Sequence, residues 1–267
     1  MAFSPMQVGA GRVAIAFLAF LPLLAYQFKQ IPWNKIGPLF IIGLCGSGLP
    51  AFLYATAQTN IPSGVAGLLN ALTPIFTFLL AIMVFGRLFS WKHLLGITLG
   101  FLGCIIIFFT KQEGTVAFPV SYGLLIVLAT FGYGISANTV GRYLKDVHPL
   151  IISTVSFSLI GPWVFLYLLN TDFISVITTH EAGLQSLLAL LVLSLVGTFG
   201  ANILFFKLIQ LTDPVFSSSV SFITPIVALM WGFLDGEYFS LLFFVALGLI
   251  LLGVFLIRLP TSSELDR

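Results

Sequence analysis

Charged residues are scarce in this chain. Only 7% of its 267 residues are Asp, Glu, Lys or Arg, 59% are hydrophobic, and the mean hydropathy is +1.12. A soluble domain usually carries about 25% charged residues, so there is too little charge here to cover a surface that faces water. The sequence therefore predicts an all-α polytopic membrane protein in contact with the lipid bilayer. The net charge of only +2 predicts no nucleic-acid partner.

Combinations of residues that support catalysis or metal binding are also missing. The two cysteines, Cys45 and Cys104, lie in apolar runs and are interpreted as small apolar fillers, and the three histidines are far apart. There are no paired catalytic carboxylates, no Ser/His/Asp set and no phosphate-binding glycine loop. We predict no enzyme, no metal, no cofactor and no ATP-driven pump.

Long apolar runs are what the chain does contain. A spanning helix needs about 20 mostly apolar residues. Nine segments qualify: 8–26, 36–57, 63–84, 93–110, 122–141, 149–170, 186–208, 214–234 and 241–258. No Asp or Glu lies in any of them, which argues against a carboxylate proton relay within these spans. A tail at 259–267 is polar.

The charged connections set an orientation. One side of the predicted bundle holds Lys29, Lys35, Arg87, Lys92, Arg142, Lys145, Lys207, Arg258 and Arg267. The other side holds Lys111 and most of the acidic residues. Basic connections usually remain in the cytoplasm. The C-terminus is predicted to be cytoplasmic and residue 1 to be outside.

A weak duplication relates the two halves of the chain. Gly46 matches Gly197 at an offset of 151, and residues 73–75 match residues 224–226 at the same offset. After one deletion the offset becomes 150, and Gly103 matches Gly253. We predict a first repeat at 1–110, an external connection at 111–121 and a second repeat at 122–258. Duplicated halves in an apolar chain are typical of secondary transporters.

The repeats are predicted to be inverted. The basic connection 86–92 aligns with the acidic connection 235–240, and Arg87 falls on Glu237. Corresponding connections on opposite faces of a membrane are the mark of an inverted-topology repeat, which requires an odd number of helices in each half. The second half has five and the first has four. Either a helix precedes residue 1, completing a ten-helix 5+5 bundle, or the protein is a nine-helix form.

Small and polar side chains form stripes along four of the predicted helices. Because polar groups that face lipid are costly, these stripes predict a cavity between the halves. The predicted substrate-binding residues are Ser47, Tyr54, Asn70, Thr73, Thr77, Thr198, Asn202, Ser221 and Thr224. The alternative is helix packing, since small and hydroxyl residues also allow helices to approach closely.

Three further residues within the spans have two interpretations each. Pro74 and Pro225 occupy matching repeat positions and are predicted to be gating hinges, or else static kinks. Arg12 is the one charge well inside an apolar run. It either anchors to headgroups or faces the cavity, where it would be a charge partner for an anionic or zwitterionic solute.

The pair Gly96 and Gly100 favours close helix packing within the bundle over a dimer face.

These motifs resemble the drug/metabolite transporter superfamily, and specifically its EamA-type members. The resemblance covers nearly the whole chain and is carried by residues 70–74 followed by Gly86, and by residues 221–225 followed by Gly236 and Glu237. Residues 3–5 with Arg12 resemble the start of the family's second helix. The resemblance implies a ten-helix inverted 5+5 bundle whose first helix is absent here. It also implies export or exchange of small metabolites across the bacterial inner membrane.

We therefore predict a secondary transporter of small metabolites, such as amino acids or amphipathic compounds, that works by alternating access. The alternatives are a nucleotide-sugar or sugar-phosphate carrier of the same superfamily and, from another class, a non-transporting scaffold or accessory subunit. The predicted partners are the small-molecule metabolite and the lipid bilayer, and the protein is predicted to be a monomer or homodimer.

Overall fold

Helices make up the regular structure of the part of the chain that is described. The computed structural model describes residues 2–61, 63–110, 119–224, 227 and 241–258. The helices are α1 (Pro5–Gln27), α2 (Ile36–Gly43), α3 (Leu49–Ala57), α4 (Ser63–Asn70), α5 (Thr73–Met83), α6 (Trp91–Thr110), α7 (Val120–Tyr143), α8 (Pro149–Leu169), α9 (Phe173–Thr179), α10 (Gly183–Ser194), α11 (Ala201–Leu211), α12 (Pro214–Ser218) and α13 (Leu241–Arg258).

Six stretches of helix are long and apolar enough to cross a membrane. They are Pro5–Gln30, Trp33–Ala57, Val65–Met83, Val120–Tyr143, Pro149–Leu169 and Gly183–Leu211, and two shorter apolar helices are Trp91–Ile106 and Phe244–Ile257. The all-α membrane class is thus confirmed. The count of nine spans stays a prediction, because the predicted span 214–234 is described only as far as residue 224 and at residue 227.

One helix was not predicted. α9 is only seven residues long, far too short to cross a bilayer, so it carries no long apolar run. Its Phe173 is buried, and the ring stacks on Phe3 with the ring centroids 4.6 Å apart. Nearby, Gln7 donates a hydrogen bond to Asp172 (Nε2–Oδ1 2.7 Å). These contacts tie α9 to the start of α1.

Local sequence explains where α1 begins. Ser4 Oγ accepts a hydrogen bond from the Gln7 backbone N–H at 3.2 Å, and Gln7 Oε1 accepts one from the Ser4 N–H at 2.8 Å. This reciprocal capping box satisfies two N–H groups that have no partner inside the helix. Pro5 follows in the first turn, where a missing N–H costs nothing.

Three of the spans are interrupted, and a short 3-10 turn follows α12. Wide π turns join α2 to α3 at Leu44–Gly48 and α10 to α11 at Leu195–Gly200. A two-residue break at 71–72 separates α4 from α5, and α12 gives way to the 3-10 turn Ser219–Phe222. Each pair of interruptions lies about 151 residues apart. Single π turns are common at functional sites.

α6 and α13 cross at their glycines. A Cβ placed on Gly96 would lie 2.6 Å from the Gly253 carbonyl oxygen, and one placed on Gly253 would lie 2.5 Å from the Gly96 oxygen. Further along the crossing, a Cβ on Gly103 would lie 2.8 Å from the Ala246 oxygen. The two backbones are therefore in direct contact, as the small residues predicted. The glycine face of α6 is covered by α13 of the same chain.

Polar contacts hold one end of the bundle together. We call it the basic end and define it by Lys35, Arg87 and Lys145. The ammonium of Lys35 lies 2.5 and 2.6 Å from the two carboxylate oxygens of Asp146, and these hydrogen bonds lower the pKa of Asp146. Gln210 Nε2 donates to the carbonyls of residues 144 and 147 at 2.8 and 2.6 Å. The turns before α2 and α8 and the last turn of α11 therefore meet at this end.

The span Gly183–Leu211 lies at the edge of the bundle. Only 17% of its most apolar 18-residue stretch is buried within the protein, against 39–50% of the corresponding stretch in each of the other five spans. Val192, which does not line the cavity described below, is 63% exposed, which for a membrane protein means contact with lipid or with another apolar helix.

Candidate functional site

A cavity of about 600 Å³ lies between the two halves of the chain. The interrupted spans and α1 and α7 contribute to its wall. Of the predicted site residues, eight line it: Arg12, Ser47, Asn70, Thr73, Thr198, Asn202, Ser221 and Thr224. Tyr54 and Thr77 do not line it. The structure thus brings together most of the residues that the stripes singled out, and their role in binding a substrate stays a prediction.

Polar contacts cross the cavity between residues far apart in sequence. Ser47 Oγ donates to Asn202 Oδ1 at 3.3 Å, and Arg12 Nε donates to Thr198 Oγ1 at 3.2 Å. Ser47 and Thr198 each lie in a π turn. The π turns therefore bring side chains of both halves to one place.

Arg12 is the only charged residue among the described residues that line the cavity. Of its two predicted interpretations, the structure places it in the cavity wall, half-buried and bonded to Thr198. The phenol groups of Tyr54 and Tyr133 lie within electrostatic range of its guanidinium. A guanidinium in a partly dry site favours a ligand that carries a negative group.

Tyr54 takes part through its neighbour and not by lining the cavity. Its hydroxyl donates to Asn70 Oδ1 at 2.7 Å, and its ring stacks on Tyr133 with centroids 6.2 Å apart. Because the amide oxygen of Asn70 is thereby fixed, its N–H₂ group is oriented as a donor. Tyr54 is better described as positioning Asn70.

Thr73 repairs the helix break next to the cavity. Pro74 has no N–H, so it cannot donate to the carbonyl of Asn70 four residues earlier. The hydroxyl of Thr73 donates to that carbonyl instead, at 2.7 Å. Pro74 then occupies the first turn of α5, where proline is well tolerated. Pro225, the matching proline, lies outside the described residues.

We expect Thr73→Val to lower the free energy of unfolding by about 1–3 kcal/mol, since it leaves a half-buried carbonyl without a donor. The measurement is reversible unfolding in detergent micelles. The matched control is Thr98→Val, because Thr98 is exposed and its hydroxyl bonds the Leu94 carbonyl of the same helix, α6, at 2.8 Å. That change should cost less than about 0.5 kcal/mol. Equal losses in the two variants would show that Thr73 does not repair the break.

Thr77 has the contacts of a packing residue. It is fully buried, and its hydroxyl donates to the carbonyl of Thr73 at 2.8 Å. Its own carbonyl accepts from Asn138 Nδ2 at 2.9 Å, and the same nitrogen donates to the Gly134 carbonyl. In this structure, the bond from Asn138 fastens α7 to α5.

Sequence reasoning missed the contribution of α7. Tyr133 and Ser136 line the cavity, and Gly46 permits close approach because a Cβ there would collide with the Ser136 hydroxyl. The spacing of three residues between Tyr133 and Ser136 was a visible signal, since it places both on one helix face. Within the described part of the chain, the buried hydroxyls of Ser136 and Ser221 have no hydrogen-bond partner. Both side chains belong to residues of the cavity wall.

The sequence model of the EamA-like transporter family matches residues 1–109 and 120–259. An uncharacterized transporter of Archaeoglobus fulgidus is 23% identical over 95% of this chain and 88% of its own length. The transporter YdfC of Bacillus subtilis is 26% identical, over 87% of this chain and 74% of its own length. The inner membrane transporter YedA of Escherichia coli K12 is 25% identical, over 95% and 81%.

The fold has a solved counterpart. One crystal structure superposes with a TM-score of 0.71 at 16% identity, covering 99% of this chain and 89% of the other. At that identity the likeness concerns the fold alone. The family match extends over nearly the whole sequence, and the related proteins are named as transporters. This chain belongs to the EamA-like transporter family.

Proposed function

We propose that this protein is a secondary transporter of small metabolites that carry a carboxylate beside an apolar part, such as amino acids. It acts as an exporter or exchanger by alternating access. The observation that carries the proposal is the cavity between the halves, with Arg12 as the only charge among its described lining residues. A carboxylate would pair with Arg12, and Tyr133, Phe205 and Phe206 offer apolar surface.

The proposal includes two inverted repeats, 1–110 and 122–258. Supporting it, the π turns and the breaks in the helices recur at the repeat offset. The family match also falls in two ranges close to these halves. Rocking of one half against the other would expose the cavity to each side of the membrane in turn.

The interruptions suit such a motion. A helix that lacks regular hydrogen bonds at one point bends there at low cost. We assign the hinge of the first half to the break before Pro74, and that of the second half to the segment that contains Pro225. The basic end faces the cytoplasm in this proposal, because Lys and Arg concentrate there.

A nucleotide-sugar or sugar-phosphate carrier is the weaker alternative. Such a substrate carries two or more negative charges, and these favour several cations in the wall. Among the described lining residues the cavity offers Arg12 alone.

Uptake into proteoliposomes tests the proposal. The panel contains labelled amino acids, nucleobases, sugar phosphates and lipophilic cations, with and without a pH gradient. We expect saturable uptake of a carboxylate-bearing solute. Thr73→Leu combined with Thr224→Leu should block it by filling the cavity, while Thr98→Leu on the exposed face of α6 should not.

Two results would contradict the function. Uptake by the double variant equal to that of the unaltered protein would remove the cavity as the binding site. Silence across the panel from monodisperse, inserted protein that has all ten predicted helices would favour the scaffold alternative.

A further inference from the structure

A second pocket lies at the basic end, separate from the cavity. Its volume is about 240 Å³, and it lies between α5, the connection after α5, α7 and α12. Arg87, Arg142 and Lys145 line it, and its described lining residues include no Asp or Glu. An excess of positive charge in a concave site favours an anion.

Arg87 is held at the rim of this pocket by an ion pair between the halves. Its Nη1 lies 3.0 Å from Asp213 Oδ1, and the two side chains are 33% and 17% exposed. Gly86, with φ of +66°, turns the chain at the end of α5, and the Arg87 N–H donates to the Ala81 carbonyl at 2.8 Å. This turn directs Arg87 across to the start of α12.

Asp213 has two tasks in this arrangement. The oxygen that pairs with Arg87 also accepts hydrogen bonds from the N–H groups of Val215 (2.8 Å) and Phe216 (3.3 Å), which caps α12. A change in the partner of Arg87 therefore acts directly on the first turn of α12.

A thin layer divides the pocket from the cavity. On α12, Val215 lines the pocket and Ser218 lines the cavity; on α7, Asn138 lines the pocket and Ser136 the cavity. Between the two α12 residues lies Ser217, which is fully buried. The separation along either helix is less than one turn, so a small shift of α12 would join the two spaces.

We propose that this pocket binds a phosphate or carboxylate group, and that the bound anion takes Arg87 away from Asp213 and loosens α12. The proposal rests on the proposed function, in which the basic end faces the cytoplasm, so that this layer separates the cavity from the cytoplasmic side. Arg142 and Lys145 hold the anion, and Arg87 is the group that changes partner. A guanidinium has five N–H donors in a planar fork, which suits exchange between carboxylate and phosphate.

Cysteine labelling tests this without any transport assay. Cys45 and Cys104 are replaced by alanine, and Ser217→Cys serves as the reporter because residue 217 is fully buried. The protein is placed in nanodiscs of phosphatidylcholine alone. The chloride of the buffer is then replaced by inorganic phosphate or by acetate at constant ionic strength. We expect either anion to raise the rate of labelling by a maleimide at least about threefold.

Three variants assign the effect to the pocket. Arg142→Gln with Lys145→Gln should abolish the response to the anion, whereas Arg142→Lys with Lys145→Arg should keep it. Asp213→Asn should raise labelling without any anion, because asparagine still caps a helix but carries no charge. As a control, Lys35→Gln, which removes the ion pair of Lys35 with Asp146 at the basic end, should leave the response unchanged.

A second set of nanodiscs, containing phosphatidylglycerol, identifies the source of the anion. Faster labelling in these nanodiscs without added phosphate assigns the site to a lipid headgroup, and a response to phosphate or acetate alone assigns it to a soluble solute. Either result supports the pocket. Labelling that no anion changes, or a response that survives Arg142→Gln with Lys145→Gln, would overturn it. Failure of uptake with intact labelling responses would count against the transporter proposal only.

Discussion

Replacing Arg12 by glutamine is expected to lower the uptake of a carboxylate-bearing solute at least tenfold at low substrate concentration. The side chain supplies the only charge among the described residues of the cavity wall. A charge-assisted hydrogen bond contributes about 1.5–3 kcal/mol, which corresponds to a factor of roughly 10–160 in kcat/KM. Arg12→Lys keeps the charge but loses the planar fork of N–H donors. Its uptake should therefore lie between that of the unaltered protein and that of Arg12→Gln.

The solute itself provides a second measurement. If Arg12 binds the carboxylate, then the carboxamide analogue gains little from it. The preference for the acid over the amide should therefore shrink in Arg12→Gln. Lys29→Gln, which alters an exposed cation at the far end of the same span, is the matched control and should retain full uptake. An unchanged preference for the acid in Arg12→Gln would place the carboxylate elsewhere.

Replacing Gly253 by valine is expected to destabilise the protein more than other single changes in α13. A Cβ at this position would lie 2.5 Å from the Gly96 carbonyl oxygen and 2.7 Å from the Gly100 backbone nitrogen. Both atoms belong to the backbone, so they cannot rotate away as a side chain would. Overpacking a close contact costs about 1–3 kcal/mol, and we expect the upper end of that range where only backbone can move. We expect a fall of many degrees in the unfolding temperature in detergent and little monodisperse protein.

Gly248→Val controls for the intrinsic effect of valine in a helix. Gly248 lies on the same helix and is exposed, and a Cβ added to it would meet no atom within 4 Å. The unfolding temperature of this variant should change little. Similar losses at the two glycines would mean that the contact between α6 and α13 does not limit stability.

The sequence predicted the helices well where an apolar run was long. It missed α9, because seven residues held by Phe173 and Asp172 show no spanning pattern. The spacing of the polar residues also predicted which faces of the interrupted spans meet, since residues three and four apart lie on one side of a helix.

Finer details of the site needed contacts that no periodic pattern contains. Thr77 lay on the predicted stripe, yet its hydroxyl bonds to its own helix. Tyr133 and Ser136 entered the wall because α7 packs against the π turn at Gly46. A π turn adds one residue to a helical turn and so rotates the faces on either side of it, which a regular period of 3.6 does not represent.

The crossing of α6 and α13 is symmetric at the predicted repeat offset. At the repeat offset of 150, Gly96 corresponds to Ala246 and Gly103 to Gly253. If each residue is replaced by its counterpart in the other half, the contact of Gly96 with Gly253 becomes the contact of Ala246 with Gly103. Both contacts are present. A contact that maps onto itself when its partners are exchanged is the signature of a two-fold dimer. At the predicted offset, α6 and α13 therefore form a two-fold pair in which each helix presents the same face to the other.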